Sequence, residues 1–123
     1  MKKDIQMPLV EGVYVAITQE EKKDSENVWY VYLINDKEHA IENVLVNSRG
    51  YLSDLKGAQE KSSVLRHFYK VIGPKSAQKV EVIVEEVFKL NNEFFVSFYA
   101  NNQLYDKRFV FVPDSIQEKN FSK

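Results

Sequence analysis

Glu86, Ser97 and Asp106 are the residues whose types could do chemistry together. Two Asn-Asn pairs, Asn91-Asn92 and Asn101-Asn102, flank the run Glu93-Phe94-Phe95-Val96-Ser97-Phe98-Tyr99-Ala100. Asn tolerates the left-handed backbone of tight two-residue hairpin turns, so the pattern predicts strand, turn, strand, turn, strand. Glu86 and Asp106 then flank Ser97 across two strand spacings, roughly 9–10 Å. That is near the upper end of the carboxylate separation in inverting glycosidases, which makes a hydrolase with paired carboxylates one reading. No cleft signature or catalytic motif surrounds the row, and polar rows on sheet surfaces are commonplace. Non-enzymatic binding ranks above it.

The remaining chemistry is cationic and aromatic. Arg66-His67-Phe68-Tyr69-Lys70 interleaves the two types as base-stacking platforms do. As a strand it sends Arg66, Phe68 and Lys70 one way and His67 and Tyr69 the other. Ser48-Arg49-Gly50-Tyr51 places an arginine and a tyrosine where anion or partner recognition is suited. Arg49, Tyr51, Arg66 and His67 are therefore the candidate contacts for a small ligand, an anion or single-stranded nucleic acid. Lys107-Arg108-Phe109-Val110-Phe111 resembles the basic-aromatic strand of RNA-recognition domains but lacks its glycines. A net charge of −1 and a pI of about 6.1 argue against nucleic acid and anionic membranes, both of which need a basic excess. His39 and His67 have no metal-ligand spacing, and the glycines are isolated, so neither a metal, a phosphate loop nor another cofactor is called for.

These residues need a scaffold. With 123 residues, 44% hydrophobic and 28% charged, the chain fits one domain with its own core. Eight Phe and seven Tyr against four Gly and three Pro favour strands. Strands are predicted over Leu9–Thr18, Val28–Ile34, Ala40–Asn47, Ser63–Ile72, Lys79–Leu90 and the two that follow the asparagine pairs. Residues 1–8 and 114–123 are read as flexible tails, and 48–62 as a long exposed loop. Lys79–Leu90 also carries apolar residues at helical spacing, with Ser76 as a possible cap, but its β-branched content favours a strand with a bulge near Glu85-Glu86. The result is an all-β, immunoglobulin-like antiparallel sandwich of about seven strands. A small open barrel is the alternative, or an α+β fold if 77–90 is helical.

Two-residue turns would pair Phe98 with Tyr105, Ser97 with Asp106 and Phe95 with Arg108, and, across the first pair, Phe88 with Phe95. Ile83, Val87, Phe94, Val96, Phe98, Tyr105 and Phe109 then form the core face, with Glu85, Lys89 and Lys107 at its margins. The opposite face carries Phe88, Phe95, Tyr99 and Arg108, more apolar than water requires. It is the predicted surface for a protein partner or a second copy of the chain. The chain has no cysteine, and it opens Met1-Lys2-Lys3-Asp4-Ile5 without the apolar stretch of a signal peptide. No run is long enough to span a membrane, so a cytoplasmic protein is expected.

Val28-Trp29-Tyr30-Val31-Tyr32-Leu33-Ile34-Asn35-Asp36, Ser48-Arg49-Gly50-Tyr51, Leu65-Arg66-His67-Phe68 and Phe109-Val110-Phe111-Val112-Pro113-Asp114-Ser115-Ile116 resemble a family of small uncharacterised bacterial proteins. Its members are sometimes labelled phenylalanyl-tRNA synthetase alpha subunit. The label implies a class II synthetase core, with an ATP-binding arginine on an antiparallel strand and a Gly-rich stretch ending in another arginine. These residues supply neither, so the resemblance brings no site residues with it.

Overall fold

The computed structural model describes residues 10–21, 27–54, 57–60, 64–113 and 115. The predicted tails at 1–8 and 114–123 lie outside them, apart from Ser115, whose N–H and hydroxyl both donate to the Val112 carbonyl. Among the described residues eight strands run in chain order: β1 Val13–Glu21, β2 Asn27–Asn35, β3 Ile41–Asp54, β4 Gly57–Glu60, β5 Leu65–Ile72, β6 Ser76–Ile83, β7 Asn91–Ala100 and β8 Gln103–Phe111. They form two antiparallel sheets. One has the order β1-β2-β6. The other has the order β4-β3-β7-β8, with β5 also paired to β3. Tyr51 pairs with Asn91 of β7 and with Glu60 of β4, so β4 and β5 follow one another along the same edge of β3. The fold is an all-β sandwich and not a closed barrel. Among the described residues no helix is long and apolar enough to cross a membrane.

Alternation decides which side chains meet between the sheets. Val13, Ile17, Trp29, Val31 and Leu33 from the small sheet face Val44, Val46, Phe94, Val96 and Phe98 from the large one, all buried. Phe98 stacks on Tyr105 and Phe94 meets Phe111 edge-on, extending the core to the outermost strand β8. Lys107, opposite Val96, keeps its ammonium near the rim over the Phe109 ring.

Asn101 and Asn102 take φ of 53° and 66°, the left-handed pair that a two-residue turn between β7 and β8 requires. The predicted pairings across it, Phe98 with Tyr105, Ser97 with Asp106 and Phe95 with Arg108, are all present. Asn91-Asn92 does not form the matching turn. Glu85–Lys89 is a 3-10 helix, β6 pairs with β2 in the small sheet, and Asn91 and Asn92 already belong to β7. Here the asparagines act through their amides: Asn92 Nδ2 donates to the carbonyls of Val87 (2.9 Å) and Leu90 (3.2 Å). The cause of the helical turn lies in the neighbours Val87 and Phe88. Both pack on the cluster of Ile17, Trp29, Val31, Ile83 and Phe94, and adjacent residues of a strand cannot point the same way. Phe88 closes edge-on over Trp29 at 5.2 Å.

Two bulges reset the phase of the strands. The extra residue in β6 is Val80, since Glu81 pairs with Val31 and Lys79 with Tyr32; at Glu85-Glu86, where a bulge is predicted, the chain forms the 3-10 helix instead. In β3, Asn43 (φ 49°) is the left-handed bulge residue opposite β7. Ile41 before it and Val44, Val46, Ser48 and Gly50 after it consequently all face inward. Most of the predicted 48–62 loop is strand: β3 continues to Asp54, and β4 covers 57–60. Residues 55–56 and 61–63 lie outside the described residues.

The crossover from β2 to β3 is held by Asn35, which is wholly buried. Its Nδ2 donates to the carbonyls of His39, Ile72 and Gly73, and its Oδ1 accepts the Lys37 N–H. One amide thus ties the β2–β3 connection to the β5–β6 turn.

Candidate binding face and inter-sheet polar cluster

The β3 bulge leaves Leu45, Asn47, Arg49 and Tyr51 on the outer face of the large sheet. Register then writes its rows. Arg66 of β5 lies beside Asn47, followed by Phe95 and Arg108. One row away, Phe68 is followed by Leu45, Ser97 and Asp106, and on the other side Arg49 pairs with Glu93. Neighbouring strands lie about 4.8 Å apart, so these side chains form one continuous surface.

Glu93 is the unusual member. A carboxylate on an outward position of a sheet is normally solvated, yet this side chain is only 10% exposed. It lies between two guanidinium groups, Arg49 Nη2 at 3.4 Å and Arg108 Nε at 3.5 Å. Arg49 in turn stacks on the Tyr51 ring, 4.9 Å from its centroid. Asn47, Arg49, Val64, Glu93, Phe95 and Arg108 line an open hollow of about 390 Å³ above this group. Within it Asn47 Oδ1 is buried without a hydrogen-bond donor. Elsewhere on the same face Phe68, Tyr99, Leu104 and Val110 are all exposed, Phe68 by 61%.

Six of the residues singled out from sequence, Arg49, Tyr51, Arg66, Phe95, Tyr99 and Arg108, share this face. Two do not. Phe88 leaves the proposed partner surface because it sits in the 3-10 helix against Trp29. His67 leaves the proposed ligand contacts because it points between the sheets, as its alternation with Arg66 requires. Asn47 and Glu93 were missed, although Glu93 is two residues before Phe95 and so on its side of the strand. The Glu86–Ser97–Asp106 row does not form: Ser97 lies between Leu45 and Asp106, and Glu86 is in the 3-10 helix, its side chain outside the described residues.

A second polar group lies inside the open edge of the sandwich. The Val80 bulge turns Glu81 inward toward β3 and β5. Its Oε1 lies 2.7 Å from His67 Nε2, and Ser48 Oγ donates to the same carboxylate at 3.0 and 3.2 Å. Burial, and then the Glu81 charge, hold the Tyr69 phenol above its ordinary range. The composition is that of a hydrolytic triad but the order is not. The carboxylate stands between serine and histidine, whereas a nucleophilic serine needs the imidazole next to it. The cluster therefore joins three strands through one shared acceptor. Neither Ser48 nor Glu81 stood out in the sequence, because nothing local announces the bulge that brings them together. Among the described residues no group of three or more His, Cys, Asp or Glu side chains is arranged to hold a metal ion.

The outer face of the small sheet exposes Tyr14 and Val82 and pairs its charged groups with one another. Lys79 Nζ lies 3.8 Å from the Tyr30 centroid and 3.9 Å from Glu20, which accepts the Tyr32 hydroxyl. No protein-family model and no curated protein matches the chain.

Proposed function

We propose that this chain is a non-enzymatic cytoplasmic binding module of immunoglobulin-like type, which contacts a protein partner through the outer face of its large sheet. The observation that carries this is Glu93, buried and clamped by Arg49 and Arg108, beneath a hollow lined by Val64 and Phe95, on a face that also exposes Phe68, Tyr99 and Leu104. Aromatic side chains and arginines, with apolar neighbours and a charged group already held in place, are what protein contact surfaces enrich. The small sheet's outer face exposes Tyr14 and Val82 too, but it has no buried ion pair or hollow among the described residues, and Glu20 pairs with Lys79 and Tyr32. The strand order supports the immunoglobulin-like description. Counting β4 and β5 together as the fourth strand, the first, second and fifth form one sheet, and the fourth, third, sixth and seventh form the other. The absence of cysteine suits a reducing compartment.

A small ligand is the second reading, favoured by the size of the hollow. Photo-crosslinking in the native cell separates the two. A photoreactive residue at Phe68 or Leu104 is expected to give a protein adduct that one at Tyr14, on the opposite sheet, does not. Adducts from Tyr14 alone, or equally from both faces, would overturn the assignment of the surface. Protection of 68 and 104 by small-molecule extract, with no protein adduct, would favour the small ligand.

A further inference from the structure

We infer that a cavity inside the open edge of the sandwich binds a short alkylammonium, a primary amine carried on an apolar tail of about four to six carbons. The site is separate from the binding face of the large sheet and does not depend on it.

The cavity follows from the phase of β3. Its bulge at Asn43 turns Val44 and Val46 inward, and the same alternation brings Ser48 and Gly50 inward after them. Two small residues thus stand where branched ones filled the preceding layers. A space of about 170 Å³ remains beside them, with Ile83, Val87 and Phe94 as its apolar walls. Leu65, Val82 and Val84 also line it and are exposed, so it opens to solvent at this edge. An apolar cavity of about 150 Å³ accepts a benzene ring, so a tail of this size fits.

The polar groups set the sign of the ligand. Glu81 lines the cavity with a side chain only 13% exposed. A carboxylate accepts about four hydrogen bonds. This one meets a single Ser48 hydroxyl, shared between its oxygens at 3.0 and 3.2 Å, and His67 Nε2 on Oε1. Oε2 therefore keeps most of its accepting capacity. Among the described residues no lysine or arginine nitrogen lies within 4.0 Å of it. Lys79 turns to the outer face over Tyr30. Arg49 borders the cavity, but its guanidinium lies across β3, beside Glu93 and over Tyr51. Asn92 gives its amide nitrogen to the Val87 and Leu90 carbonyls, so its side chain offers the cavity only an oxygen. The polar lining is rich in acceptors and poor in donors. An ammonium brings three donors together with the positive charge that a nearly buried carboxylate lacks. An alcohol brings one donor and no charge, and a second carboxylate would be repelled.

The test titrates the full chain with butylammonium, 1-butanol and butyrate, following backbone amide signals by NMR. At pH 8 an alkylamine is charged and a free imidazole is neutral. Signals of Ser48, Gly50 and Val87 are expected to move with butylammonium, at a Kd about tenfold below that of butanol, and to stay in place with butyrate. Glu81→Gln keeps the size of the side chain and is expected to remove that tenfold preference while leaving butanol binding unchanged. Val84→Lys, at an exposed position of the mouth, tests the same charge without touching the polar cluster, and is expected to weaken butylammonium alone. A lysine residue carries the same group, so an acetylated lysine amide is the further probe. Tighter binding than butylammonium assigns the site to a peptide lysine, and weaker binding to a free amine. Equal affinity for butanol and butylammonium, a preference that survives Glu81→Gln, or no movement of these signals with any probe would overturn the inference.

Discussion

Replacing Asn35 by Asp exchanges an amide for a carboxyl and should leave a domain whose deficit in stability is large at neutral pH and shrinks in acid. The Asn35 amide nitrogen approaches the carbonyl oxygens of Gly73 at 2.9 Å, His39 at 3.1 Å and Ile72 at 3.2 Å, while its Oδ1 accepts the Lys37 N–H. An ionised aspartate keeps the Lys37 bond and turns the other oxygen onto those carbonyls. Two donor hydrogens are lost, each about 1 kcal/mol, and carbonyls are left unpaired at about 1–3 kcal/mol each. Loss of about 4–5 kcal/mol at neutral pH follows from these terms, a large part of the roughly 5–15 kcal/mol typical of a domain. The burial that makes the site costly for a charge must also raise the introduced carboxyl above the roughly 3.9 of the unfolded chain. With a raised folded value, the protonated form is favoured by folding. The Asn35→Asp variant is then most stable below about pH 4, where the acid regains one donor, and weakens as pH rises through the folded value by up to about 1.4 kcal/mol per unit. Urea unfolding of wild type, Asn35→Asp and Asn35→Ala across pH gives the measurement, and differences from wild type cancel the other titrating groups. The Ala variant should show a deficit that does not change with pH. A deficit for Asn35→Asp below about 1 kcal/mol at neutral pH, or one that fails to shrink on acidification, would refute the role given to this amide.

The two asparagine pairs should respond oppositely to glycine. Asn102→Gly keeps a left-handed turn and should change stability by less than about 0.5 kcal/mol, whereas Asn92→Gly removes the bonds to Val87 and Leu90 and should cost about 2 kcal/mol in urea unfolding. Glu81→Ala leaves the buried Ser48 hydroxyl and His67 without their acceptor, and a loss of about 2–3 kcal/mol is expected by the same measurement. Tyr69 is raised by burial and by Glu81, so its contribution is complete below pH 10 and is lost as pH rises through its folded value. Phenolate absorbance should therefore show Glu81→Gln shifting that titration downward, and Tyr69→Phe should soften the alkaline loss of stability. Gly12 has φ +78°, and an added Cβ would lie 2.8 Å from Lys37 Cγ, so Gly12→Ala should lower thermal stability by about 1–2 kcal/mol.

What could be read in the sequence was whatever depends on near neighbours. The Asn101-Asn102 turn, the pairings beyond it and the alternation of Arg66 with His67 all follow from local geometry and are present. Asn91-Asn92 has the same letters and a different task, because an asparagine can either adopt a left-handed backbone or donate through its amide. Only the choice of sheet for β6 decides between them, and that choice is made by contacts with β2 far along the chain. The Ser48–Tyr51 stretch misled for a related reason. Its serine and glycine point inward at the open edge, where small and polar residues fit, so a strand there lacks the apolar half of its usual pattern. Arg49, Arg66, Phe95 and Arg108 were each identifiable as single residues. Their convergence was not, because it requires β3 to lie between β5 and β7.

The 3-10 helix at Glu85–Lys89 therefore does more than join two strands. Had 79–90 returned as a hairpin onto the strand that follows it, the side of β7 now bordered by β3 would have been occupied by β6. Phe95 would then have faced Phe88, and Glu93 would have stood beside the turn itself. By carrying the chain from the small sheet to the large one, the helical turn leaves that side of β7 free for β3. Arg49 and Asn47 arrive opposite Glu93 and Phe95, Arg108 closes from β8, and a carboxylate that water would otherwise cover is held between two arginines. The same departure of β6, with its bulge at Val80, carries Glu81 across the open edge to Ser48 and His67. One local conformational choice, made because Val87 and Phe88 must both reach the core, thus builds the hollow on the outside and the polar tie on the inside. Strand propensity at 84–89 is overridden by burial, and the candidate site is a consequence of that override.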